Sequence, residues 1–308
     1  MKSILNKIYK KIILKEENEE FKNIYNQTGV KKLFDSILEF SETSELRYVG
    51  GCVRKILCKE DVDDIDLATN LNPEEIKICL KKNNIKFYET GLKHGTITAS
   101  IDNKNYEITS LRIDKRTDGR HAEVKFIDDW LIDAQRRDFS FNSIYADING
   151  NLFDPFDGKK DLKNGKINFI GDANLRIQED FLRILRYIRF YINYSKNKHE
   201  EDIKKIIRQN IHGVALLSKE RLISELKKIF LSENFHNFYN DAFSKEIISL
   251  IFPQLKYFNI FKSSNKYVEE IFKKKDFDFM LALLTIDETD NTDFFYININ
   301  FQIIQKRD

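Results

Sequence analysis

The chain has 308 residues, enough to bury a sizeable core and to form more than one domain. Charged residues make up 32% of it, yet the net charge is only +2, so a polyanion would have to be bound by local clusters of lysine and arginine and not by overall charge. The three cysteines Cys52, Cys58 and Cys79 form no CxxC pair, which argues against a disulfide framework or a zinc site and fits a reducing, cytoplasmic setting, and no apolar run reaches the ~18 residues of a membrane span.

Residues 1 to about 44 read as helical, with Leu33, Phe34, Ile37 and Leu38 at helical spacing. The opening stretch MKSILNKIYKKIILKEENEE is lysine-rich and amphipathic and lacks a small-residue cleavage site. It reads as a helix and not a signal peptide, and a transit sequence stays open. Strands are predicted near 46–49 and 64–68, with a short helix carrying Arg54 between them. Asn72-Pro73 marks a helix start, Asn72 as cap and Pro73 at the first helical position, and that helix runs to about Lys82. Short β-like runs follow at Lys86–Glu89, Gly95–Ile101 and Asn105–Leu111, the last two flanking Asp102-Asn103-Lys104 as a hairpin. Ile113–Val124 is polar with one glycine and reads as a flexible loop. From about 130 helices dominate, so the change from mixed α/β to all-α falls near 150.

Residues 48–69, YVGGCVRKILCKEDVDDIDLAT, carry the strongest chemical signal. A strand ending at Val49 runs into Gly50 and Gly51, a short helix carries Arg54, and the chain then reaches Asp64-Ile65-Asp66. Alternate side chains of a strand share a face, so Asp64 and Asp66 point together while Ile65 and Leu67 face a core. Two carboxylates near a glycine turn and an arginine suit a divalent ion shared with a phosphate, and oxygen ligands of this kind suit Mg2+. The glycines allow close backbone approach to a triphosphate, and a helix start favours anions. Taken alone, Asp61, Asp63, Asp64 and Asp66 also fit a solvated acidic loop. An EF-hand is excluded, since the required glycine and glutamate are missing. The order strand, Gly-Gly, Arg, DxD is more specific. It resembles motif A of the DNA polymerase β nucleotidyltransferase superfamily, in the branch of class II CCA-adding enzymes and bacterial poly(A) polymerases.

Two further segments extend the resemblance. In Gln135–Ser143, two adjacent arginines and an aspartate at a predicted helix start make a site for phosphate and ribose. This is similar to the family's RRDFTxN, met except that Ser140 replaces threonine. Phe153–Gly158 with Asp161-Leu162 matches the segment that joins the family's head to its neck. In Arg176–Phe190 a step of three drifts only about 60° around a helix, so Arg183, Arg186 and Arg189 stay on one broad face, with Phe181, Ile184, Leu185 and Ile188 opposite. Pairs such as Glu179–Arg183 account for part of that charge, but three arginines against one aspartate exceed what pairing needs. The run resembles motif D, EDxxRxxRxxRF. A weaker match runs from Ser218-Lys219-Glu220-Arg221 through Glu225, and RTDGRHAEV (116–124) resembles the family's flexible loop.

The resemblance covers about residues 46–190 and implies an α+β chain. A polymerase β-type nucleotidyltransferase head, a small mixed or antiparallel sheet with helices, would span 1–150 with N-terminal helices over 1–44. A helical neck that recognises the base would span 151–215, and a helical body with a reduced tail that binds tRNA would span 216–308. The implied activity is template-independent addition of CCA to tRNA 3′ ends from CTP and ATP, releasing pyrophosphate by a two-metal scheme. Asp64 and Asp66 would bind Mg2+, with Glu107 as a third carboxylate. Gly50, Gly51, Arg54, Arg137, Asp138 and Asn142 would surround the nucleotide, Asp180 and Arg183 would hydrogen-bond its base, and Arg186 and Arg189 would hold phosphates. Poly(A) polymerase, a CC-only or A-only enzyme, and an RNA-binding protein that has lost catalysis are the alternatives; intact Asp64 and Asp66 argue against the last. Two departures stand out: Lys55 occupies a position where the family usually has aspartate, and 308 residues is short. No histidine is followed by aspartate, so an HD phosphohydrolase signature is missing. Lys204-Lys205, Lys227-Lys228 and Lys273-Lys274-Lys275 are candidate RNA contacts or merely solvated helix faces. The oligomeric state is not indicated.

Overall fold

The computed structural model describes residues 17–117, 122–258 and 276–285. They fall into two compact units, which divide between Gly171 and Asp172. Residues 151–171 carry the first unit past 150, because helix Gly158–Asn164 packs on the turn Ser140–Asn142.

The first unit opens with helical residues 17–25 (α1) and α2 (Thr28–Leu38). Leu33, Phe34 and Ile37 are buried, and the Phe34 ring lies 5.1 Å from that of Tyr48. Leu38, expected on the same face, is 39% exposed because it is the last residue of the helix. The predicted helix before residue 17 lies outside the described residues. A seven-stranded sheet follows, built from β1 (Leu46–Val49), β2 (Asp66–Thr69), β3 (Lys86–Gly91), β4 (Thr96–Ile101), β5 (Lys104–Ser110) and, later in the chain, β8 (Tyr145–Ala146) and β9 (Leu152–Phe153). Its order is β3-β4-β5-β2-β1-β8-β9. The β2–β5 pairing is parallel and the others are antiparallel, so the sheet is mixed, as expected.

Local chemistry explains most of these elements. At the start of α4 (Pro73–Lys82), Asn72 Oδ1 accepts from the amides of Glu74 and Glu75 at 2.9 and 3.1 Å, and Glu75 Oε2 accepts from the Asn72 amide at 2.8 Å. This reciprocal box satisfies amides that helix geometry leaves unpaired. The β4–β5 hairpin turns through Asp102 and Asn103, both at positive φ (51° and 61°), which short Asx side chains tolerate.

Two predicted elements differ. The strand expected over 64–68 begins only at Asp66. Its partner β1 ends at Val49, where Gly50 turns the chain into α3 (Gly51–Cys58), so residues 64 and 65 find no strand to pair with on that side. Residues 113–124, read as a loop, contribute to an antiparallel ladder of β6 (Arg112–Thr117) and β7 (Ala122–Phe126) with an irregularity between Asp114 and Arg116. Backbone pairing outweighs the polar composition there. Residues 118–121 lie outside the described residues.

Past α5 (Trp130–Gln135) and α6 (Gly158–Asn164), the second unit is helical among the described residues: α7 (Ala173–Glu179), α8 (Leu182–Tyr194), α9 (Glu201–Asn210), α10 (Lys219–Phe230), α11 (His236–Asn240), α12 (Ala242–Ile251) and α13 (Phe277–Thr285). Ile184, Leu185 and Ile188 of α8 are buried, as are Leu226, Ile229 and Phe230 of α10, the helix it packs against. His199, stacked on Tyr191 with ring centroids 3.4 Å apart, bridges Tyr187 Oη (2.9 Å) and Asp241 (2.8 Å) and so ties the α8–α9 connection to α12. No helix among the described residues is long and apolar enough to cross a membrane.

Candidate active site

The site is organised by the turn between β1 and α3. Gly50 has φ 69° and ψ −119°, a conformation open in practice only to glycine. A Cβ there would stand 3.8 Å from Arg137 Nη1 and 3.9 Å from the Asn142 carbonyl oxygen. A Cβ at Gly51 would stand 3.8 Å from Asp66 Oδ2 and 3.9 Å from Arg54 Nη2. Six residues expected at the nucleotide or the metal, Gly50, Gly51, Arg54, Asp66, Arg137 and Asn142, therefore meet at one turn.

Beneath the turn lies a buried polar chain. Arg54 donates to Asn142 Oδ1, Asn142 Nδ2 donates to Asp138 Oδ1 at 3.0 Å, and the same oxygen accepts from the Phe139 amide at 2.9 Å. Arg54, Asp138 and Asn142 are buried, so this chain forms the floor of the site. Buried polar groups are kept only when hydrogen-bonded, and these are.

Asp66 opens β2, and the parallel register sets Glu107 of β5 directly beside it. Burial is the largest influence on the Asp66 carboxyl and raises its pKa; the Glu107 charge raises it next, and Asp64 adds to this against Arg137 and Arg54. Asp64 is exposed in the segment before the strand. Lys55, the departure noted above, pairs with neighbouring Asp63 at 2.7 Å and so tethers that segment to α3. Cys52 beside the site is no nucleophile, since burial pushes its thiol up to about 11.

Among the described residues no three His, Cys, Asp or Glu side chains gather closely enough to cage an ion alone. The donors at the turn are carboxylate oxygens whose mutual repulsion a cation would relieve. That set fits an ion such as Mg2+, which binds through one or two carboxylates and takes the rest of its shell from substrate phosphates and water.

Arg136 and Arg137 sit at the end of α5 and not at a helix start. Asp129 caps the helix, accepting from the amides of Leu131 (2.8 Å) and Ile132 (3.1 Å), and six residues later the helix is over. Both arginines bind Asp133, which was not singled out in the sequence: Arg136 Nε at 2.8 Å and Arg137 Nη2 at 3.1 Å. Its position three and four residues before an arginine pair was the available signal. Burial opposes ionisation of Asp133, but Arg137, Arg136 and the Tyr145 hydroxyl outweigh it and hold the carboxyl well below the usual range. The hydroxyl of Ser140, kept in place of threonine, donates to buried Asp161 at 2.6 Å.

The Asp154–Gly158 segment locks this arrangement. Asp154 accepts from the amides of Gly158 (2.7 Å) and Lys159 (2.9 Å). A Cβ at Gly158 would stand 2.6 Å from the Ser140 carbonyl carbon and 2.8 Å from Phe141 Cα, both backbone atoms. Gly158→Ala should therefore cost about 1–3 kcal/mol through overpacking and lower Tm by roughly 2–10 °C. An unchanged melting curve would show that the backbone yields there.

In the second unit the Arg176–Phe190 run is not one helix. It breaks at Asp180, in extended conformation (φ −154°, ψ 102°) between α7 and α8. Asp180 Oδ1 accepts from the Leu182 amide at 3.2 Å, a local bond that competes with helix continuation, and Oδ2 accepts from Arg221 at 2.8 Å. Phe181 is only half-buried, with its ring against Gly213. The expected surplus of positive charge is also reduced. Arg183 donates to Glu179 at 2.7 Å and to the Arg176 carbonyl at 2.6 Å, and Arg189 pairs with buried Glu225 of α10. Glu225 could not be counted from a single helix. Arg186 lies over the Phe190 ring at 5.5 Å. Lys204 and Lys205 pair with Glu201 (2.8 Å) and Asp202 (3.7 Å), and Lys228 lies 3.9 Å from Glu225; Lys273–Lys275 lie outside the described residues.

A mixed sheet with a glycine turn, strand carboxylates and arginines at one point, followed by helices, is the fold of a polymerase β-type nucleotidyltransferase. The family described as the Poly A polymerase head domain matches residues 46–168, and the one described as the probable RNA and SrmB-binding site of polymerase A matches 198–259. The chain belongs to the family of CCA-adding enzymes and bacterial poly(A) polymerases. CCA tRNA nucleotidyltransferase 1, mitochondrial, of Homo sapiens is 42% identical over 241 residues, 77% of this chain and 55% of that protein. The CCA-adding enzyme of Staphylococcus haemolyticus is 34% identical over 258 residues, 80% of this chain and 60% of that one. The crystal structure of the Bacillus stearothermophilus CCA-adding enzyme in complex with CTP is 25% identical, with a TM-score of 0.58 over 75% of this chain and 60% of that one. The chain thus spans about half the length of the vertebrate relatives it matches, 51% and 55% in two cases. Enzymes of this kind use divalent metals.

Proposed function

We propose that the chain adds CCA to tRNA 3′ ends from CTP and ATP without a nucleic-acid template, releasing pyrophosphate. The observation that carries this reading is the β2–β5 register, which sets Asp66 against Glu107 beside the Gly50–Gly51 turn and Arg137. Asp64 and Asp66 would hold divalent ions, for which we name Mg2+, with Glu107 as third carboxylate. Held by these carboxylates, a divalent ion would supply Lewis-acid chemistry, lowering the pKa of the attacking 3′-hydroxyl and offsetting charge on the leaving pyrophosphate. The glycine turn admits the triphosphate and Arg137 grips it, over the floor of Arg54, Asn142 and Asp138. Asp180 and Arg183 read the base, held by Arg221 and Glu179, while Arg186 and Arg189 supply charge for phosphates. We assign catalysis to the first unit, and base reading and tRNA holding to the second. The free cysteines favour a reducing compartment, for which we name the cytoplasm, although the human relative is named mitochondrial; organelle fractionation decides between them.

The test is a purified chain with tRNA ending at the discriminator base and labelled CTP and ATP. Three added nucleotides, in the order C, C, A, are expected. Long tails from ATP alone would make it a poly(A) polymerase, and no incorporation would overturn the transfer reading. If the second unit holds tRNA, replacing Lys204, Lys205, Lys227 and Lys228 together by alanine should weaken tRNA binding and flatten its salt dependence, by roughly 0.9 in slope for each phosphate no longer neutralised. An unchanged slope would leave these lysines as solvated helix faces.

A further inference from the structure

Asp133 belongs to none of the segments that carried the functional reading, yet it is the most heavily engaged carboxylate near the turn. It is 1% exposed. One oxygen accepts from the Arg112 amide at 3.1 Å and Arg136 Nε at 2.8 Å. The other accepts from Arg137 Nε at 3.3 Å, Arg137 Nη2 at 3.1 Å and the Tyr145 hydroxyl at 2.5 Å. Tyr145, wholly buried, also accepts from Arg137 Nε at 3.0 Å and lays its ring 5.1 Å from the guanidinium.

A free arginine side chain samples many rotamers, and each must be given up when it grips a ligand. Here Nε and Nη2 are fixed from behind by Asp133 and Tyr145. The guanidinium plane is thereby set, and Nη1 is the atom that faces the Gly50 turn. Asp133 is shared between Arg136 and Arg137, and Asp114 between Arg112 and Arg136, so Asp133 is not given over to Arg137 alone. We propose that Asp133 and Tyr145 are a positioning pair that presents Arg137 to the phosphates of the incoming nucleotide. This rests on the transfer reading above. Neither residue touches the substrate in this scheme; each acts through Arg137.

The experiment is equilibrium binding of CTP and of ATP with Mg2+ and no RNA, to the full chain and to Tyr145→Phe and Asp133→Asn, followed by steady-state kinetics. Asp133→Asn should raise Kd for both nucleotides about tenfold, and Tyr145→Phe should do so by severalfold, with the CTP-to-ATP preference unchanged. KM should rise in step and by more than kcat falls. A merely structural role would lower Tm and the active fraction while leaving Kd and KM where they were, and that result overturns the proposal. If Asp133→Asn does not fold, Tyr145→Phe, which deletes one hydroxyl, decides alone. A wild-type chain that binds both nucleotides but transfers neither sinks the transfer reading, and the variants' Kd values still judge the clamp. One that binds neither nucleotide sinks both.

Discussion

Asp66→Asn should abolish nucleotide incorporation and leave a chain at least as stable as the wild type. The activity loss follows from the proposed role: metal stabilisation of transition-state charge amounts to several kcal/mol, and each 1.36 kcal/mol is tenfold, so roughly a 10³-fold fall or more is expected. The stability gain follows from the environment of Asp66. Burial, then Glu107, raises its pKa, so the native state holds that proton more tightly than the unfolded chain does. Ionising it therefore costs stability, and the cost is felt above the folded pKa and vanishes below the unfolded one. In chelator at neutral pH the asparagine variant should melt higher than the wild type, with the gap closing as pH falls below about 4. Mg2+ should raise the wild-type Tm more than that of the variant, since the proposed site would hold the ion only in the folded wild type. Near-normal turnover by the variant would refute the metal assignment, and an equal Mg2+ shift in both proteins would place the ion elsewhere.

Arg183→Ala should loosen base choice. A carboxylate accepts from the exocyclic amino group shared by C and A and missing from U, while a guanidinium donates to ring nitrogens or carbonyls. Losing one such bond in a closed site costs about 1–3 kcal/mol, or about 5- to 150-fold in discrimination. Arg183 is held by Glu179 and by the Arg176 carbonyl, and Asp180 by Arg221, so both side chains are already oriented. Competition assays with UTP and GTP should show misincorporation by Arg183→Ala, and by Arg221→Ala to a smaller extent. Unchanged selectivity in Arg183→Ala would remove this pair from base reading.

What the chain declared on its own is local. Asn72-Pro73 is legible as a helix start because the capping bonds it announces close within four residues. The Asp102-Asn103 turn is legible because so few side chains tolerate positive φ. The glycine pair, DxD and the arginine-rich segments are readable because phosphate chemistry restricts which residues can stand there. Where β2 begins was not readable: on its β1 side the partner strand ends at Val49, where Gly50 turns the chain into α3. The same holds for residues 112–126, whose polar composition hides a ladder that backbone groups alone specify.

The sequence by itself therefore determined the family, the glycine turn and the residue types at the site. The tertiary structure decided which charges are spent on each other. Glu225 on Arg189 and Arg221 on Asp180 pair segments 36 and 41 residues apart in the chain. It also brought Glu107 beside Asp66 across 41 residues of chain, through one parallel register. Such pairings depend on packing distances set by the whole core, and no periodicity within one segment encodes them.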